Sequence, residues 1–165
     1  MSTLYVDAIT EKTSSNGVHI AGHVVQFKTV SAATTVIVSS STYTSLTGLS
    51  MTFAPKFSTS SLYILYSSHI MLTQDAGAWR GAEIKVFKDG TAISGGGTYG
   101  QAQNNNATND RSMHYVYKDT VYAPNSTASA TYEIKGSAVQ STVGHYFNPT
   151  SWGSGGRLTI MEIAQ

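Results

Sequence analysis

The sequence predicts an all-β domain, an antiparallel sandwich or jelly roll, and three observations carry that expectation. No stretch sustains apolar residues at i, i+3, i+4 and i+7, so amphipathic helices are missing from the pattern. β-branched and aromatic residues recur instead with period two, in runs bounded by Gly, Asn, Asp, Pro and Ser. Many such short runs follow one another with no crossover helix between them, which is the signature of stacked antiparallel sheets.

The first run, Thr3 to Ile9, sets Leu4 and Val6 on one face and Tyr5, Asp7 and Ile9 on the other. Asn16-Gly17 is a strong hairpin turn signal, and Val18 to Gln26 then continues extended until Gly22 interrupts it. This opening holds too few large apolar residues to fold alone. Residues 1–22 therefore read as an arm ordered against something else, and 23–165 as the head domain. Within the head the expected strands are 23–30, 34–39, 49–53, 62–69, 82–88, 91–94, 111–122, 128–135, 143–148 and 157–163. Leu62, Ile64 and Tyr66 share a face, and Asp89-Gly90 joins two strands as a tight hairpin. Tyr115 and Tyr117 alternate with His114 and Val116. In the last run Leu158 and Ile160 oppose Met161 and Ile163, so both faces of that strand read as covered. Gly95 to Asp110 and Asn148 to Gly156 read as long polar loops, where recognition usually sits on a rigid β scaffold.

Composition narrows the function. The 165 residues suffice for one domain with a real core, and the hydrophobic share of 41% is that of an ordinary globular protein. Charged residues make up only 12%, about half the usual share, with Ser, Thr, Asn and Gly in their place. Such a surface repels its own copies weakly. A net charge of +1 gives no reason to seek nucleic acid, which is not expected as a partner. With no cysteine, disulfides, zinc-thiolate sites and cysteine nucleophiles are excluded. No window approaches the roughly 20 apolar residues of a membrane span. The opening Met1-Ser2-Thr3-Leu4 lacks a basic leader and an apolar signal core, so synthesis in a cytoplasm without an export address is expected.

The chemistry-bearing residues do not assemble into a catalytic set. Gly95-Gly96-Gly97 is followed by neither Gly-Lys-Ser/Thr nor a helix, so it does not cradle phosphate. His19 and His23 share a strand face, but no Asp, Glu or Cys nearby completes a metal site, and none is expected. Glycan hydrolysis needs two carboxylates across the bond. Glu83 and Glu133 stand at outward positions beside Lys85 and Lys135 as solvated cross-strand pairs, and Asp89 belongs to a turn. Asp75 and Asp110 are the remaining acid/base candidates, and a glycan depolymerase is the least favoured reading. The sequence thus predicts no enzyme, no catalytic residue and no cofactor. Aromatic residues weigh the other way. Ten tyrosines against five phenylalanines supply flat, amphipathic side chains, and Tyr63, Tyr66, Tyr115 and Tyr132 alternate as core or subunit-interface material. Trp79, Tyr99 and Trp152 fall in loop-like sequence and are the candidate receptor contacts.

Four segments carry a family resemblance: STLYVDAITEKTSSNGVHIAGHVVQ, LTGLSMTFAPKFSTSSLYIL, FKDGTAI and the terminal GRLTIMEIAQ. Together they resemble small virion proteins of tailed bacteriophages of aquatic bacteria. The resemblance implies a jelly roll of the tumour-necrosis-factor/C1q type, assembled as a homotrimer. It also implies an arm carrying Leu4, Tyr5, Val6 and Ile9 that docks onto other virion proteins. The expected function is a virion tail-fibre or adhesin subunit whose loops meet a host-surface glycan or protein. The alternative is a capsid decoration or head-fibre protein.

Overall fold

The computed structural model describes residues 20–73, 80–93, 100–102, 111–139, 144–150 and 155–165. Among these the chain forms strands and no helix. The strands are β1 (Val24–Ala32), β2 (Val36–Val38), β3 (Thr44–Phe53), β4 (Ser61–Thr73), β5 (Arg80–Lys88), β6 (Thr91–Ala92), β7 (Gly100–Ala102), β8 (Arg111–Tyr122), β9 (Ala130–Val139), β10 (His145–Phe147) and β11 (Gly156–Ile163). They build two antiparallel sheets. In sheet A, β1, β11, β4 and β8 lie side by side, and the short pair β10–β2 continues from the part of β4 that β11 leaves free. In sheet B the order is β3, β9, β5, with β6 and β7 sharing the far edge of β5.

Alternation decides what lies between the sheets. Leu62, Ile64, Tyr66, Leu158 and Ile160 of sheet A are buried against Met51, Phe53, Tyr132, Ile134, Ile84 and Val86 of sheet B. Each such side chain contributes about 1.5–3 kcal/mol when fully withdrawn from water. Gly136 leaves room for the Phe147 ring, since a Cβ there would sit 2.7 Å from the ring edge. The Asp89-Gly90 hairpin forms as expected. Both residues have positive φ, 47° and 80°, which matches the right-handed twist of the flanking strands.

Two expectations need correcting. Gly100–Ala102 forms β7 on Arg80–Ala82, inside the stretch that reads as loop from Gly95 to Asp110. Met161 and Ile163 are only half-buried, so the described residues leave the second face of the last strand partly uncovered. The expected strand over residues 3–9 and the Asn16-Gly17 turn lie outside the described residues. Gly22, with φ 82°, turns the chain so that its N–H meets the Ala164 carbonyl at 2.8 Å.

One end of the sandwich is organised by a carboxylate. Glu162 points inward and is buried. It accepts the backbone N–H groups of Lys56 at 2.8 and 2.9 Å and of Phe57 at 3.0 Å, and the Gln26 amide at 2.6 Å. Gln26 and Lys28 also reach across to the free carbonyls of Ala54 and Thr52, closing the open side between β1 and β3. Burial alone would push the Glu162 carboxyl up. The N–H groups of Lys56 and Phe57, with Gln26 and Ser60, outweigh it and hold the carboxyl below its ordinary value. Because the folded value is depressed, this stabilisation is present above the ordinary carboxylate range and is lost as pH falls through the folded value.

At the other end Asn148, in the left-handed region at φ 54°, accepts hydrogen bonds from Ser68 Oγ at 2.7 Å and Tyr66 Oη at 3.1 Å. Gly156 lies against it, where a Cβ would stand 2.3 Å from Asn148 Oδ1. The expected consequence for Glu162 is specific. Glu162→Gln lowers stability by about 1–3 kcal/mol at neutral pH, because a neutral amide cannot accept three donors as well. It also flattens the decline of melting temperature below about pH 4.5 that the native protein shows. Thermal unfolding from pH 7 to pH 2.5 checks both parts, and an unchanged acid profile in the variant contradicts the assignment.

Candidate functional site

The two outer faces of the sandwich differ in kind. On sheet B the outward side chains are Ser45, Ser50, Thr52 and Thr131, together with two ion pairs. Glu83 holds Lys85 at 3.3 Å, and Glu133 holds Lys135 at 3.0 Å. Sequence suggests solvated pairs across strands, but each pair joins residues two apart on one strand, and the four side chains are half-buried. The lysines also lie 4.7 Å above the rings of Tyr43 and Phe87, so the aromatic surface there is covered by charge.

Sheet A is apolar outside as well as inside. Strand register assembles one row across all four main strands, in which Phe27, Met161, Tyr63 and Val121 stand side by side. A second row joins Ile37, Tyr146, Met71 and Met113. Between them lie Leu65, Tyr117 and Tyr115, the last packed edge-on to His69 with ring centroids 5.3 Å apart. Phe27 is 72% exposed, Val121 69% and Tyr115 65%. Apart from Ile20 in the turn before β1, every exposed large apolar residue among the described residues belongs to sheet A.

Polar groups on this face bond to one another. The Tyr63 hydroxyl donates to Asp119 at 3.4 Å, and the Thr29 and Thr159 hydroxyls meet at 2.9 Å. A hydrogen bond with Tyr117 is the largest cause that pushes the Tyr63 phenol up to about 12, with burial and Asp119 adding to it. The four main strands, at ~4.8 Å spacing and some eight residues long, make a face of roughly 500 Å² even taken as flat. That face, which Asp119, Arg157 and several hydroxyls interrupt, lies toward the upper end of the patches that monomers leave in water, and patches of that size often carry function. What this surface can do is bind another apolar surface.

Trp79, Tyr99 and Trp152 lie outside the described residues, as do Leu4, Tyr5, Val6 and Ile9, His19, Asp75 and Asp110. The strand ends beside the three aromatics are described. Arg80 and Gly100 pair with Ala102 and Ala82, and Asn148 and Gly156 meet at the same end of the sandwich. That is the end opposite to Gly22 and Ala164. Among the described residues no three His, Cys, Asp or Glu side chains group as a metal site.

Sequence reasoning picks out Tyr115 as interface material but misses Phe27, Val121 and Met113. For Met113 and Val121 the signal is the run from Met113 to Val121, whose odd positions Met113, Tyr115, Tyr117 and Val121 are apolar or aromatic while Val116 faces the other way.

No protein-family model matches the chain, and no curated protein matches it. Solved structures that resemble it include infectious bursal disease virus, Gt strain, at 13% identity over 96% of this chain and 37% of that chain, with a TM-score of 0.44. The Gx strain of the same virus gives 19% identity over 84% and 32%, with a TM-score of 0.42. Dimeric latent PorU of Porphyromonas gingivalis gives 11% over 91% and 14%, with a TM-score of 0.40. The chain spans little more than a third of the length of each of these chains, or less. Scores of this size do not establish a common fold, and the architecture rests on the strand pairing itself.

If the outer face of sheet A is covered in solution, its exposed side chains are less reactive than their exposure in one protomer demands. Hydroxyl-radical footprinting at high protein concentration is expected to show Phe27, Met113 and Tyr115 protected, with protection lost on dilution. Replacing Phe27 and Val121 together by Ser leaves the protomer's own stability within about 0.5 kcal/mol, since both lie on its surface, while releasing protomers from one another.

Proposed function

We propose that the chain is a non-enzymatic virion structural protein, a homotrimeric tail-fibre or adhesin subunit of a bacteriophage. One observation carries the self-assembly: sheet A is apolar on its outer face while sheet B is polar and ion-paired. Most of the exposed apolar side chains fall in two groups at opposite edges of sheet A, with Ile37 of β2 apart from both. Val24 and Phe27 lie on β1, and Met113, Tyr115, Tyr117 and Val121 on β8. A two-fold contact sets one patch against itself, whereas a closed ring sets one patch against a different one. Two unlike patches favour the ring, and a threefold ring is the smallest that is not a dimer.

The finer fold reading is a jelly roll. With β1, β3, β4, β5, β7, β8, β9 and β11 counted in chain order, sheet A runs first, eighth, third, sixth, and sheet B second, seventh, fourth, fifth. Two nested Greek keys give that order. The virion assignment draws its support from the resemblance of the four quoted segments to tailed-phage virion proteins. Polarity of the head supports an arm at one end and recognition at the other. The segment before β1 leaves beside Ala164, and the strand ends flanking Trp79, Tyr99 and Trp152 lie at the opposite end.

A catalytic role has little to draw on. Each described acidic residue is engaged structurally: Glu83 and Glu133 by lysines, Asp89 by the Thr131 N–H, Asp119 by Tyr63, and Glu162 by the Lys56 and Phe57 amides. In this reading the partners are two copies of the chain, other virion proteins through Leu4, Tyr5, Val6 and Ile9, and a host-surface glycan or protein.

The test is to locate the protein on the intact particle with a labelled antibody and electron microscopy. Label at the tail is the expected result, and particles carrying Ala at Trp79, Tyr99 and Trp152 then adsorb to host cells at least ten-fold less well. Label over the head transfers the assignment to a decoration protein, and particles without label overturn the virion reading.

A further inference from the structure

The outer face of sheet A carries, among the described side chains, only two full charges, and they are of opposite sign. Asp119 stands on β8 opposite Leu65 of β4, and Arg157 on β11 opposite Ser67 of β4. Both are exposed, and no salt bridge joins them or engages either among the described residues. Two strand spacings and two residues of register separate their Cα atoms, roughly 12 Å, with the Leu65 side chain on the path between. The Tyr63 hydroxyl, 3.4 Å from Asp119, is a long and neutral partner for a carboxylate.

Covering this face removes water from both charges. A charge buried without a counter-charge is strongly destabilising, and the other described side chains of the face offer none. Arg presents a planar fork that accepts a carboxylate with two parallel N–H···O bonds, and its always-charged guanidinium keeps the requirement at every pH. We propose that Asp119 of one copy pairs with Arg157 of its neighbour, and that this ion pair sets the register in which the apolar faces meet. The inference rests on the self-assembly reading above and adds which polar contact orients it. Apolar rows alone slide over one another with little penalty, whereas a single desolvated ion pair admits one alignment.

Charge reversal separates this proposal from the reading beneath it. Asp119→Lys and Arg157→Glu each place like charges in the covered face, and each is expected to raise the dissociation constant of the assembly about 100-fold. The double variant, which restores opposite charges with their positions exchanged, is expected to return to within a few-fold of the native value. Both side chains are exposed in the protomer, so circular dichroism and the melting temperature of dilute protein verify that each variant still folds. Sedimentation velocity across a concentration series gives the constants. An assembling native protein whose single variants assemble as well as it does overturns the ion pair alone. A double variant no tighter than the singles overturns it too. A native protein that stays monomeric overturns the self-assembly reading as well.

Discussion

A strand with apolar residues on both faces needs two surfaces to cover it, and a two-sheet sandwich supplies only one. β4 and β11 present this problem. Leu62, Ile64, Tyr66, Leu158 and Ile160 fill the space between the sheets, while Tyr63, Leu65, Met161 and Ile163 point away from it. Register then aligns the outward residues with Phe27 and Val121 into a continuous row. The two-faced character of sheet A ties the remaining features together. It accounts for the low charge of the chain, the placement of the ion pairs among the described residues on sheet B, and the wealth of tyrosine, whose ring tolerates both water and a dry interface.

Holding such a sheet in one register requires polar anchors elsewhere. Glu162 gathers three distant segments, taking N–H groups from Lys56 and Phe57 and the side-chain amide of Gln26. Three of the four segments that carry the family resemblance, those containing Gln26, the FAPKFS stretch and LTIMEI, therefore converge on one carboxylate. At the far end Asn148 does the same for β4 and the chain entering β11, through Tyr66, Ser68 and the His69 carbonyl. Glu162 meets its several partners in only one arrangement, and Asn148, whose Oδ1 is engaged while its buried Nδ2 meets no partner among the described residues, adds a second polar anchor to strands that apolar contacts alone would hold loosely.

Period-two alternation made most of the strands legible, because inward and outward positions of β4, β5 and β9 differ in size and polarity. Asp89-Gly90 was legible for a local reason, since few other residues adopt two successive positive φ values. Gly100–Ala102 was not, because its pairing comes from the free edge of Arg80–Ala82 and its own residues carry no strand preference. Glu162 was hidden for a similar reason. An acid in an alternating strand reads as solvent-facing, and the amides that bury it come from a loop more than a hundred positions away in sequence. The covered-face problem was half visible: alternation showed that Met161 and Ile163 form a second apolar side, but only strand order shows that no strand among the described residues covers it. The nominated receptor aromatics and docking-arm residues lie outside the described residues.

The central claim is that sheet A meets other copies of itself in a closed ring, and the molar mass in solution tests it most directly. Light scattering coupled to size exclusion, run over a hundred-fold range of concentration, is predicted to give a single species of three times the 17.6 kDa chain mass. A species that stays at 17.6 kDa throughout would mean that water wets the outer face of sheet A, and the account built on that face would not stand.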